Sequence, residues 1–208
     1  MSSYIMHMCI SQKVKDKLGL TDKFVYGSVL PDIIKSATGD REGTHYIKTI
    51  KKDGDIRSLP QVNKAILNLD IQDKEIRLGY IAHLIEDYIW FNNYIPSYAK
   101  KINDEQVLYC YNNTLHTNDE FRDVMYSDYS NSGEYVAKKC NVDIVKLTNN
   151  ILEQIQGEKE KQILLESVKI SSDEDIKRNV FMTKDSIAKY IEESTKCVEE
   201  KILELLEE

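Results

Sequence analysis

Histidine is scarce in this chain, with four copies in 208 residues, and each copy sits where a metal ligand is useful. His83 and Asp87 lie four apart in the apolar stretch Gly79-Tyr-Ile-Ala-His-Leu-Ile-Glu-Asp-Tyr-Ile-Trp90. His116 and Glu120 repeat the spacing in His-Thr-Asn-Asp-Glu. Helical residues four apart share a face, so each pair offers an imidazole nitrogen and a carboxylate to a common point. His7 falls on a first helical stretch, and His45 follows the Pro31-Asp32 step. Neutral imidazole and carboxylate are the ligands of zinc and its neighbours, so this placement predicts a transition-metal site.

Each residue also has a blander reading. His83 and Asp87 can form a hydrogen bond within a core, and His45 or His7 can be an ordinary core or loop histidine. His116 and Glu120 can mark a solvated helix start. One shared cause explains all four placements together. An ionised Asp87 on an apolar helix needs compensation, which a divalent cation supplies. Gly79, one turn before His83, leaves room there for an ion or substrate.

The elements that must position these residues are helical. Apolar residues recur at helical spacing in a first helix from about Tyr4 to Leu18 that stops at Gly19. Thr21-Asp22 caps a second helix that ends at Pro31. Residues 36–59 are polar, contain three glycines and form the longest loop-like stretch. Pro60 opens a short helix to about Leu69. Asp73 caps a central helix over about 73–93, apolar around most of its circumference and so buried in a bundle. A helix over about 118–138 is interrupted near Ser130-Asn-Ser-Gly133. Helices over about 142–156 and 158–168 follow, and Thr183 caps a long final one. The Glu199–Glu208 run, interspersed with lysines, is a solvated face. No repeat or convincing strand is evident. The expectation is an all-α single domain over 1–208, with a metal-site core over about 4–130 and C-terminal helices over about 142–206 packed on it.

Composition narrows the function classes. With 41% hydrophobic and 30% charged residues the chain is an ordinary globular protein. A net charge of −7 argues against general nucleic-acid binding, which needs a basic surface. Cys9, Cys110, Cys140 and Cys197 are widely spaced without a CxxC, which predicts reduced thiols and a reducing compartment. No signal peptide or membrane span is evident, so a cytoplasmic location is expected.

In order, Met6-His7, then Tyr26-Gly-Ser-Val-Leu-Pro-Asp32, then Thr44-His45-Tyr46, then Leu78-Gly-Tyr-Ile-Ala-His83-Leu-Ile-Glu-Asp87-Tyr-Ile-Trp90 resembles the bacterial zinc-dependent phospholipase C family. That family belongs with the fungal single-strand nucleases in an all-helical, multi-metal superfamily, and the likeness covers roughly residues 4–130. The resemblance implies that Asp32, His45, His83 and Asp87 hold a main zinc pair, with Asp87 bridging and His7 completing the second ion. It implies a further zinc on His116 and Glu120. The family usually carries another histidine shortly after its H-x-x-x-D, where Ile89-Trp-Phe-Asn-Asn93 has none. Its secreted members also use a processed amino terminus as a ligand. Here the chain begins at Met1 with no visible leader, and Asp123 or Asp128 is the candidate replacement.

The implied function is a metal-dependent phosphoester hydrolase with one to three Zn2+ ions, or other divalent metals, in which metal-activated water attacks phosphorus. Two ions about 3.5–4 Å apart clamp a phosphoester for in-line displacement. Asp32 would hold one ion and orient or deprotonate the water. Trp90 and Tyr94 would wall the substrate pocket. The 36–59 segment would cover it, with Lys51 or Arg41 reaching outer phosphate oxygens. The expected partner is a small phosphoester or a phospholipid head group. The rival is a non-catalytic helical protein braced by a structural metal. A nucleotide phosphohydrolase with adjacent His-Asp is a poorer fit, since no histidine here is followed directly by aspartate.

Overall fold

The computed structural model describes residues 3–168, 172 and 174–207. Helix α1 (Tyr4–Leu18) starts where the Ser3 side chain accepts from the Met6 amide, and it stops at Gly19, whose φ of 68° suits a residue without a Cβ. Helix α2 (Asp22–Thr38) is capped by Thr21. It runs on through Pro31, where an end was expected. Proline removes one backbone bond, at about 3 kcal/mol in a helix interior. Burial of Val25, Val29 and Ile33 against Leu147, Ile151 and Leu164 outweighs that cost.

The expected loop over 36–59 is instead the end of α2, helix α3 (Arg41–His45) and an antiparallel hairpin of β1 (Ile47–Lys52) and β2 (Asp55–Pro60). Asp53 and Gly54 turn the hairpin with φ of 52° and 77°, as a tight two-residue turn requires. Helix α4 (Val62–Asn68) precedes the central helix α5 (Lys74–Ile89), whose cap Asp73 accepts from the amides of Glu75 and Ile76. A π-helical turn (Trp90–Tyr94) and the short α6 (Ile95–Tyr98) continue it. A second small sheet follows, ordered β3 (Ala99–Lys101), β4 (Gln106–Tyr109) and β5 (Thr114–Thr117), all antiparallel. These two sheets are exceptions to the expected absence of strands; the domain is otherwise helical.

Helix α7 (Asn118–Cys140) opens on a capping box between Thr117 and Glu120. It is not interrupted at Ser130–Gly133. Ser132 and Gly133 belong to its buried stripe with Met125, Tyr129, Val136 and Cys140. Helices α8 (Ile144–Gln154) and α9 (Glu158–Ser167) pack on α2. After a 3-10 turn, helix α10 (Lys184–Glu207) packs on α1 and α5, so the C-terminal helices cover the N-terminal core.

The arrangement turns on the crossing of α2 and α5. A Cβ on Gly79 would run into the Phe24 carbonyl and approach Gly27 Cα within 2.9 Å. One on Gly27 would meet the Ile76 carbonyl. The two glycines let the backbones touch, which brings Asp32 on α2 beside His83 and Asp87 on α5. The space expected at Gly79 for an ion or substrate is therefore filled by α2. All four cysteines are free, with Cys9 and Cys140 buried.

Candidate metal centre

Four helices each deliver part of one buried cluster. His7 comes from α1, Asp32 from α2, His45 from the end of α3, and His83 and Asp87 from α5. All five side chains are at most 1% exposed. Ligand atoms of Asp32, His45 and His83 lie within 4.8 Å of one another, as do those of His7, His83 and Asp87.

The outer nitrogens show which way each imidazole faces. His83 Nδ1 lies 2.7 Å from the Ser28 carbonyl oxygen, which can only accept, so Nδ1 carries the proton. The Thr44 hydroxyl donates to the Asp40 carbonyl at 2.6 Å and accepts from His45 Nδ1 at 2.8 Å. Both rings therefore turn Nε2 lone pairs inward, and these two atoms stand 3.2 Å apart. Two lone pairs at that distance repel unless a proton or a cation lies between them. A tetrahedral ion with nitrogen ligands at about 2.05 Å separates them by about 3.3 Å. The donor set fits such an ion.

The carboxylates complete the arrangement. Asp32 Oδ1 is 3.4 Å from His45 Nε2, and Asp87 Oδ2 is 3.7 Å from His83 Nε2 and 3.8 Å from His45 Nε2. Asp87 turns its other oxygen to His7 Nε2, at 3.6 Å. One carboxylate thus faces imidazoles on both sides. Asp32 Oδ2 is buried with no hydrogen-bond partner among the described residues, and Lys35 Nζ reaches Oδ1 at 3.2 Å. An unsatisfied carboxylate oxygen is costly to bury, and a cation relieves that cost.

Protonation preferences agree with ligand roles. Burial, with His83 alongside, holds His7 well below the usual imidazole range, and burial also lowers His83. Burial opposes ionisation of Asp32, but its contacts with His45, His83 and Lys35 outweigh that and hold it well below the usual carboxylate range. Asp87 is lowered against the same penalty by the amino-terminal charge first and then by His83, His7 and His45. Neutral imidazoles and ionised aspartates are the forms that bind metal.

Glu86 behaves in the opposite way. Burial and the neighbouring charge of Asp87 push its carboxyl well above the usual range. It shares a proton with His7 Nδ1 at 2.7 Å, with Ser11 Oγ 3.5 Å from its other oxygen. A cation at His7 Nε2 would draw that proton onto Nδ1, giving a carboxylate–histidine pair behind the ligand. Sequence reading missed Glu86 and Thr44 as supports. Two consecutive carboxylates inside an apolar helix were the available signal for Glu86.

The remaining candidates lie elsewhere. His116 sits on β5, not on a helix, and stacks on Tyr109 with ring centroids 3.7 Å apart. Its Nδ1 is 3.6 Å from Glu120, with side chains 31% and 61% exposed. Glu120 is engaged by the Thr117 amide and hydroxyl in the capping box. The pair joins neither group of buried ligands. Asp128 accepts the amides of Val180, Phe181 and Met182 at 2.8–3.0 Å and so anchors that loop rather than replacing a ligand. Asp123 is exposed on the surface. Met1 and its amino group fall outside the described residues.

Trp90 belongs to the core and Tyr94 packs half-buried against it, and neither lines the clefts near Asp32. Trp90 is fully buried, donates to the Tyr129 hydroxyl at 2.8 Å and packs on Tyr190; Tyr94 donates to Glu193. A cleft of about 450 Å³ instead reaches Asp32 between α1, α2 and α7, walled by Tyr4, Lys35, Tyr126 and Tyr129. Lys51 is exposed on the hairpin, whereas Arg41 lines an adjoining cleft. Comparison with protein-family models, with curated proteins and with solved structures gave no match.

Proposed function

We propose that this protein is a metal-dependent phosphoester hydrolase similar in chemistry to the zinc-dependent phospholipases C. The observation that carries the reading is the pair of Nε2 atoms of His45 and His83, 3.2 Å apart, with both Nδ1 protons committed to outer partners. Asp32, His45 and His83 would hold one Zn2+ ion, His7 a second, and Asp87 would contact both. Bound zinc lowers the pKa of water towards neutrality and stabilises a departing alkoxide.

The chain's own residues supply the rest. Asp32 borders the cleft, and its Oδ2, without a hydrogen-bond partner among the described residues, would orient a water and take its proton. Lys35, beside it, would hold a non-bridging phosphate oxygen. Tyr126 and Tyr129 limit water on the α7 side. The expected substrate is a small phosphoester or a phospholipid head group handled in the cytoplasm. Among the described residues no helix is long and apolar enough to cross a membrane.

One observation favours the rival. Asp32, His45, His83 and Asp87 are all buried, and were all four to reach one ion they would form the closed set of a structural zinc. Hydrolysis of bis(4-nitrophenyl) phosphate separates the readings. Catalysis predicts nitrophenol release that a chelator abolishes and zinc restores. Zinc uptake with raised thermal stability but no release would leave only the structural role.

A further inference from the structure

The cleft beside Asp32 does not end there. It adjoins a second chamber of about 410 Å³, and Lys35, Tyr126 and Tyr129 line both. The second chamber has an apolar floor that includes Phe91, Phe121 and Met125, and its charged lining is cationic: Lys35, Arg41 and Arg122. Among the described residues no acidic side chain lines it, although the chain carries a net charge of −7. Arg122 is partly neutralised by Asp119 at 2.8 Å and Asp123 at 3.4 Å. Arg41 pairs with no carboxylate among the described residues: its guanidinium lies over the Phe91 ring, 5.3 Å from the centroid. A cation resting on an aromatic face keeps its in-plane donors available for an anion.

We infer that the second chamber selects a phosphoester whose other half is flat and apolar and carries an additional negative charge, with Arg41 as the residue that reads this charge. The inference rests on the proposed centre at Asp32, where the reacting phosphate would sit next to Lys35. The apolar floor takes the flat group, and the Arg41 fork pairs with a terminal carboxylate or phosphate. A cationic head group such as choline would meet three positive side chains and no acid, so it is rejected.

Calorimetry with three inert or simple probes tests this: phenylphosphonate, 4-carboxyphenylphosphonate and phosphocholine. The carboxylated probe is expected to bind about tenfold more tightly than phenylphosphonate, and phosphocholine most weakly. Arg41→Ala should erase the tenfold preference, while Arg41→Lys keeps part of the preference and Arg41→Glu reverses it. Equal binding of the two phosphonates by the wild type, a preference that survives Arg41→Ala, or tightest binding of phosphocholine would overturn the inference. Titrations run with and without zinc keep the two proposals apart. Failure to take up zinc sinks the metal reading, whereas the Arg41-dependent preference is read in either state.

Discussion

The chain contains the same spacing twice, and the two copies end in different physical settings. His83 and Asp87 lie inside α5, at most 1% exposed, with imidazole lone pairs and carboxylate oxygens turned on one another. His116 and Glu120 straddle the junction of β5 and α7, are half-buried and exposed respectively, and are already engaged by Tyr109, Thr114 and Thr117. Spacing brings two groups together, but burial with imidazole lone pairs and carboxylate oxygens facing one another is what calls for a cation. The flanking residues differ accordingly. Ile81, Ala82, Leu84 and Ile85 surround His83, whereas Thr114, Thr117 and Asn118 leave Leu115 as the one apolar residue within two positions of His116.

The strongest way to break the buried centre without touching a ligand is Gly79→Ala. The new methyl group would force α5 away from α2, and overpacking of this kind costs about 3 kcal/mol. Denaturant unfolding should show that loss, accompanied by weaker zinc uptake as Asp32 separates from His83 and Asp87. Unchanged stability would mean that the close crossing does not set the site.

Glu86→Gln sharpens the comparison from behind a ligand. It removes the carboxylate that backs His7 while keeping size, and loss of such support lowers metal affinity by about 10–100-fold. Competition with a chromogenic chelator measures this. Wild-type affinity in the variant would show that Glu86 serves only packing.

At the exposed pair the effects should be small. Glu120→Ala removes half of the capping box and should cost about 1 kcal/mol in thermal unfolding, with zinc content unchanged. His116→Ala should leave zinc content unchanged as well. Loss of an ion in either variant would reinstate a third site at this pair.

The helical class was legible because the 3.6-residue periodicity of α1, α5 and α10 is strong. The strands were not, since β1 and β3–β5 are short and largely polar or exposed, and an edge hairpin need not show clean alternation. The Asp53-Gly54 pair was the one local signal of the hairpin. Pro31 and the Ser130–Gly133 stretch misled because tertiary burial overrode local propensity at both. Within the site, residue type and order pointed to His7, Asp32, His45, His83 and Asp87, which the fold brings together. The outer partners were hidden, since the Ser28 carbonyl has no sequence signature and the role of Thr44 depends on α3 geometry. The cleft walls Tyr126 and Tyr129 lie on α7, more than thirty residues from His83, and nothing local links them to it.

Elemental analysis of the purified protein, alone and as Asp87→Ala, addresses the buried centre most directly. The account predicts tightly held zinc in the wild type, a rise in thermal stability when a stripped sample is reloaded, and loss of both in the variant. A wild-type protein that stays metal-free in excess zinc, with an unchanged melting temperature, would contradict it.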